Sequence, residues 1–278
     1  MPISQRPLAL ITGATSGIGA AFARRLAREG YDLIVHGRRE EKLRNLADRL
    51  RSEYGRGVEV RLAELADCRN VAELERTVAG LDNLRILVNN AGFTFTAPFA
   101  ELDADSHEAI LRVQTIVPMR LARAALPGML RRNAGAVINV ASVAGFTPGS
   151  NCAAYNTAKA ALVMFSEALH LELIDTGVRV QALCPGWTRT EFHTRRGIPL
   201  ESLPRALWMS PERVVSCSLR GLKRGTVVCV PGLRNKLLVY LSRAFPRSIY
   251  FAVAPRVSRL RRAMREKAIA RRRQSDRR

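Results

Sequence analysis

Directly behind the apolar run 8–12 the chain reads Thr12-Gly13-Ala14-Thr15-Ser16-Gly17-Ile18-Gly19. Residues 18–28 then carry apolar side chains at helical spacing, with Gly30 just past their end, where a left-handed cap is wanted. A strand that passes through glycines straight into a helix leaves the first N–H groups of that helix without intrahelical acceptors, and glycine lets a ligand come close to the backbone. An anion such as a pyrophosphate suits that turn. The helix must also return across a sheet, so the motif predicts a β-turn-α beginning.

The same alternation continues. Strand-like runs occupy 32–36, 58–62, 86–89, 136–140, 179–183 and 226–230, while helical periodicity occupies 39–54, 71–79 and stretches between the later strands. Strands separated by helices predict an α/β fold of Rossmann type, a doubly wound parallel sheet. At 278 residues the chain is slightly long for one simple domain. Its composition changes after Gly232, so we expect a Rossmann-type domain over 1–232 and a basic, amphipathic, helical C-terminal extension over 233–278.

Charge follows that division. Of the net +21, the segment 219–278 carries +16, from eighteen Lys and Arg against Glu266 and Asp276. So segregated a charge describes a basic appendage on an ordinary domain. Apolar stretches at 237–240 and 248–253 are interleaved with Arg243, Arg247, Arg256 and Arg259, a mix suited to peripheral contact with an anionic membrane. Two plainer readings stand beside it: the apolar stretches cover the domain, and the arginine-rich end is a solvated tail. No aromatic follows Phe251 and no reader motif is present, so no nucleic-acid partner is expected. No apolar run reaches the ~18 residues of a spanning helix, and no charged leader with an apolar core precedes Leu8, which favours a cytoplasmic location. Cys68, Cys152, Cys184, Cys217 and Cys229 are scattered, and His36, His107, His170 and His193 lack ligand spacing, so neither disulfides nor a metal is expected.

Tyr155-Asn156-Thr157-Ala158-Lys159 sets a phenol and an ammonium four residues apart, on one face of a predicted helix. A neighbouring cation favours the phenolate. Free tyrosine ionises near pH ~10, and bringing it to neutrality requires about 4 kcal/mol of differential stabilisation. Alone, the pair also fits an exposed helical surface. Its company is the turn Thr12 to Gly19, Asn89-Asn90-Ala91-Gly92 after the fourth strand, Ser142 after the fifth, and Pro185-Gly186 after the sixth. In order, spacing and strand position these motifs resemble the short-chain dehydrogenase/reductase family over roughly 8–230. The segment 211–232, followed by Asn235-Lys236-Leu237, resembles its ketoacyl and hydroxysteroid reductase branch.

The resemblance implies an oxidoreductase, with a place in lipid metabolism, that moves a hydride between a nicotinamide and a carbonyl or secondary alcohol. Tyr155 would be the general acid/base, Ser142 would hydrogen-bond the same substrate oxygen, and Lys159 would grip the nicotinamide ribose while lowering the Tyr155 pKa. Gln114 stands where many relatives have an asparagine of a water-linked proton relay. Gly13, Thr15, Ser16, Gly17, Ile18 and Gly19 would hold the pyrophosphate. Asn89, Asn90, Ala91 and Gly92 would support the cofactor beside the central sheet, and Pro185, Gly186, Thr188 and Thr190 would meet its amide and diphosphate. Glu64-Leu65 replaces the aspartate and aliphatic residue that relatives carry near the adenine. An acid at the end of the second strand would favour NAD(H), but the chain reads His36-Gly37-Arg38-Arg39, where Arg38 and Arg39 suit a 2′-phosphate, so NADP(H) is favoured over NAD(H). Phe93, Phe95, Phe99, Phe146, Trp187, Phe192 and Trp208 fall near the carboxyl ends of strands and point to an apolar small-molecule substrate. A homo-oligomer is expected from the family. The competing expectation is a catalytically silent nucleotide sensor or scaffold, recruited to a membrane or partner by its basic tail, with Gln114 as the mark of lost turnover.

Overall fold

The central strand runs are largely apolar because both faces of the sheet are covered, whereas the edge strand 58–62, reading Val-Glu-Val-Arg-Leu, is only partly buried. The computed structural model describes residues 6–192, 207–246, 248 and 250–252. Within them β1 (Leu8–Ile11), β2 (Asp32–Gly37), β3 (Val58–Leu62), β4 (Leu84–Asn89), β5 (Gly135–Val140), β6 (Val178–Leu183) and β7 (Val228–Cys229) form one parallel sheet of seven strands in the order 3-2-1-4-5-6-7. The helices are α1 (Gly17–Arg28), α2 (Glu40–Tyr54), α3 (Cys68–Ala79), α4 (Ala104–Leu111), α5 (Val117–Arg131), α6 (Ala153–Glu172), α7 (Pro211–Lys223) and α8 (Leu233–Ala244).

Alternate residues of a strand enter different cores. Ala9, Ile11, Leu33 and Val35 pack with Phe22 and Leu26 of α1, Leu43 and Leu50 of α2, and Val214 and Leu219 of α7. Leu8, Leu10, Ile34 and Leu87 pack on the other face with Leu74 of α3, Leu121 and Met129 of α5, and Leu169 of α6. The chain order reverses between β1 and β4, so the carboxyl ends of these two strands open a crevice, the usual binding place of such sheets.

The doubly wound α/β sheet agrees with the sequence reading, and its differences are at element ends. The seventh strand is two residues long rather than five and pairs only with Ala182 and Leu183, as an edge strand with a single neighbour. Helix α3 starts three residues before the apolar pattern does, because Asp67 caps it, accepting from Arg69 N at 2.8 Å. Gly30 has the expected positive φ, +102°. Helix α8, which follows Gly232, buries Val239 among Ala141, Leu162, Val163, Ala182, Cys184 and Val230. The arginine-rich end from 253 onward, and His193, lie outside the described residues.

Candidate active site

A cavity of about 600 Å³ runs along the carboxyl ends of the strands. Its floor is the glycine turn. Gly13 and Gly17 have φ of +67° and +57°, and a Cβ on Gly13 would lie 2.8 Å from Ala91 Cα. A side chain at Gly13 would collide with the turn after β4 and one at Gly17 with Thr190, and both positions have the left-handed backbone that favours glycine. Gly13, Thr15, Ser16, Gly17 and Ile18 line the cavity. Gly19 does not: a Cβ there would meet Gly13 O at 2.3 Å, so its part is to let helix and turn touch. Helix α1 begins with no side-chain cap and no acid in its first turn, and its positive end faces the cavity unneutralised. Backbone geometry and charge both fit a phosphate-bearing group.

The turn is clasped from β4. Thr12 Oγ1 accepts from the backbone N–H groups of Asn90 and Ala91, each at 3.0 Å, and Asn90 Nδ2 donates to Thr12 O and Gly13 O, also at 3.0 Å. Asn90, Ala91 and Gly92 line the cavity. Asn89, grouped with them by sequence, is instead buried beneath it: its Nδ2 donates to Asn139 Oδ1 at 2.8 Å, and Asn139 donates to Ser166 Oγ at 2.9 Å. This is a polar chain linking β4, β5 and α6, invisible in a sequence because its members are 50 and 27 residues apart.

At the end of β2, Arg38 and Arg39 reach the cavity with Glu64 and Leu65. Arg38 Nη1 donates to Glu64 Oε2 at 2.7 Å; partial burial pushes the Glu64 pKa up, but this guanidinium together with the Ala66 N–H, which donates to Oε1 at 3.2 Å, holds the carboxyl below its ordinary value. Arg39 donates to Thr15 Oγ1 at 2.7 Å, Ser16 Oγ at 3.1 Å and Glu191 Oε2 at 2.6 Å, while Lys42 holds Glu191 Oε1 at 2.7 Å. Glu191, which the sequence did not single out, therefore straps the segment after β6 across the cavity. Thr190 lies over Gly17, whose Cβ would meet Thr190 Cγ2 at 2.8 Å. Pro185, Gly186, Thr188 and Thr190 all line the cavity, and Thr188 Oγ1 donates to Gly186 O at 3.1 Å.

Ser142, Tyr155 and Lys159 line the same cavity. Ser142 sits just beyond β5 and caps a short 3-10 turn, its Oγ accepting from Ala144 N at 3.1 Å. Tyr155 and Lys159 are one turn apart on α6 and both buried. Lys159 Nζ donates to Val140 O at 2.7 Å and lies 5.7 Å from the Tyr155 ring centroid. Burial pushes the Lys159 pKa down to about 8.

Gln114 occupies a single π-helical turn, Arg112–Ile116, between α4 and α5. Its Nε2 donates to Phe93 O at 2.6 Å, and its buried Oε1 has no hydrogen-bond partner among the described residues. Of the seven aromatics expected at the pocket, Phe93, Trp187 and Phe192 line it. Phe192 tilts against Tyr155 at 5.8 Å between centroids. The other four pack elsewhere: Phe95 edge-on to Phe93, Phe99 on His107, Phe146 under Arg243, Trp208 on Trp187. Leu238 of α8 also lines the cavity.

Residues 7–198 match the family model for short chain dehydrogenases. D-beta-hydroxybutyrate dehydrogenase of Cupriavidus necator is 34% identical over 218 residues, 72% of this chain and 80% of that protein. The very-long-chain 3-oxoacyl-CoA reductase of Anas platyrhynchos is 31% identical over 231 residues, 80% of this chain and 72% of that one. The solved structure of a short-chain dehydrogenase from Sphingobium yanoikuyae in complex with NADPH has a TM-score of 0.77 at 38% identity, covering 82% of this chain and 88% of that chain.

Proposed function

Because the chain belongs to the short-chain dehydrogenase/reductase family, we propose that it is an NADP(H)-dependent oxidoreductase interconverting a ketone and a secondary alcohol, with Tyr155 as the general acid/base. The observation that carries this reading is the convergence of Ser142, Tyr155 and Lys159 on the cavity whose floor is the glycine turn. A bound nicotinamide supplies or accepts the hydride. The chain does the rest: Tyr155 Oη gives its proton to the carbonyl oxygen during reduction and takes it back during oxidation, while Ser142 Oγ hydrogen-bonds the same oxygen and fixes it. Lys159 binds the ribose hydroxyls, and its charge lowers the Tyr155 pKa. Gln114 holds the Phe93 carbonyl and thus the wall beside the reacting groups.

NADP(H) is preferred because the two positions directly after β2 hold Arg38 and Arg39 rather than a carboxylate. The NADPH in the Sphingobium structure supports this. The substrate is a small apolar carbonyl compound, in keeping with Phe93, Trp187, Phe192 and Leu238 in the wall. Exposed Met164 and Leu171 on α6 and Met119 on α5 support a homo-oligomer. The setting is cytoplasmic, with the basic extension as a peripheral membrane contact.

Titration with NADPH and NADH by fluorescence, followed by loss of nicotinamide absorbance over ketoacyl, steroid and aromatic ketones, tests the reading with Tyr155→Phe as control. Tighter NADPH binding, and reduction of a ketone only by the unmutated protein, is expected. Binding without any turnover turns the reading toward a silent nucleotide sensor, and binding of neither dinucleotide overturns it.

A further inference from the structure

Helix α8 has two unlike faces. Inward, Val239 is buried and Asn235 lies over Gly186, while Leu238, 45% exposed, sits at the edge of this face and lines the cavity. Outward, Leu233, Leu237, Tyr240 and Leu241 are 83%, 57%, 68% and 40% exposed. At about 100° per residue these four share one stripe. Exposed Arg234 borders it on one side and exposed Lys236 on the other, and exposed Phe245 and Phe251 extend the apolar surface past the helix. Single exposed leucines are ordinary, but a continuous stripe of them marks a contact.

Charge identifies the contact. Between Glu212 and Glu266 the chain has no carboxylate and thirteen Lys and Arg. A second copy would bring Arg234 and Lys236 against their own equivalents, a repulsive self-pairing. A nucleic acid would use the cations but gain nothing from the leucines. An anionic bilayer uses both, with the apolar stripe entering the acyl boundary and the flanking cations at the headgroups. At 12 residues α8 is about 18 Å long, well short of a ~30 Å hydrocarbon core, and no helix among the described residues is long and apolar enough to cross.

The helix is also tied to the cavity rim. Arg243 pairs with Glu167 of α6 at 3.0 Å and covers Phe146, and Tyr250 donates to Pro148 O at 2.5 Å, next to the cavity-lining Gly149 to Cys152. We propose that the outward stripe of α8 docks on an anionic phospholipid surface, and that the cavity beside Leu238 takes a lipid-like ketone from that bilayer. Docking stands on α8 alone, whereas delivery of a ketone rests on the reductase reading.

The test uses the full chain with vesicles of phosphatidylcholine alone or mixed with phosphatidylserine, and the double variant Leu237→Asp/Tyr240→Asp, whose two residues lie outside the cavity wall. NADPH titration checks that the variant is folded. The wild type is expected to sediment with the anionic vesicles only, and the variant to bind them at least about ten-fold more weakly. A ketone dissolved in those vesicles is then reduced more slowly by the variant, at unchanged rate for a water-soluble ketone. Equal vesicle binding by the variant overturns the proposal, since charge alone then explains it. So does absence of binding to anionic vesicles, a wild-type dimer that the variant dissociates without change in vesicle binding, or preference for duplex DNA over vesicles. Vesicle binding with no turnover of any ketone counts against the reductase reading and leaves docking standing.

Discussion

Glu191 couples the two ends of the cavity. Lys42 bonded to its carboxylate, with Arg39 beside it, holds its pKa at about 2 against the opposing pull of partial burial, so it is ionised across the neutral range. A 2′-phosphate reaching Arg39 must compete with that carboxylate, whereas NADH brings no such group. Glu191→Gln is therefore expected to tighten NADPH about five-fold, roughly 1 kcal/mol, and to leave NADH nearly unchanged. Fluorescence titration of both dinucleotides measures the ratio; an equal change for both would mean that Glu191 acts only by ordering its own segment. Tyr155→Phe keeps the ring and its packing on Phe192 but removes the proton. Turnover should fall about 10²- to 10⁴-fold with NADPH affinity little altered, readable from kcat beside a binding titration.

The π turn at Arg112–Ile116 is the element that departs most from what its sequence suggests. Apolar spacing runs through Ile110, Val113 and Val117 without interruption, and the one sequence signal is Pro118 just past the turn, which has no N–H to give Gln114 O in an unbroken α-helix. The strands, by contrast, were legible to within a residue or two over most of the sheet, because most are buried apolar runs bounded by turn residues and β3 alternates apolar with charged residues. The turn, Ser142, Tyr155 and Lys159 were legible as local motifs. What stayed hidden were pairings across the fold: Glu191 with Arg39 lies 152 residues apart, and Asn89 with Asn139 lies 50 apart. Function is expected to depend on the π turn through Gln114. Gln114→Leu strips the amide donor from the Phe93 carbonyl and should lower kcat/KM about ten-fold, while Gln114→Asn, which keeps an amide, should lose less. Equal loss in both would show that side-chain length, not the amide, matters.

At the scale of the whole molecule, two buried bases each make stability rise with pH over a range of their own. His36, whose Nε2 faces Ala63 O at 3.1 Å, has its pKa pushed down by burial from 6.5 to about 4. The unfolded chain takes up that proton first, so stability present above pH 6.5 is lost as pH falls toward 4. Lys159 is lowered by burial from 10.5 to about 8, and there the unfolded chain keeps a proton that the folded one releases, so this group's contribution to stability climbs between pH 8 and 10.5. Each shift corresponds to about 3 kcal/mol. Denaturation free energy measured against pH should rise toward neutrality and again from pH 8, then turn over above pH 9, where the Cys184 and Cys229 thiols, pushed up by burial, keep protons that the unfolded chain releases. His36→Gln should flatten the acid limb, and Lys159→Met the alkaline one, while raising neutral stability by up to about 3 kcal/mol. A lysine kept at such a cost has its return in binding. NADPH at a hundred times its Kd adds about 2.7 kcal/mol to a protein that holds it. Saturating NADPH should therefore erase most of the lead of Lys159→Met over the wild type, and a lead unchanged by NADPH would remove Lys159 from the cofactor grip.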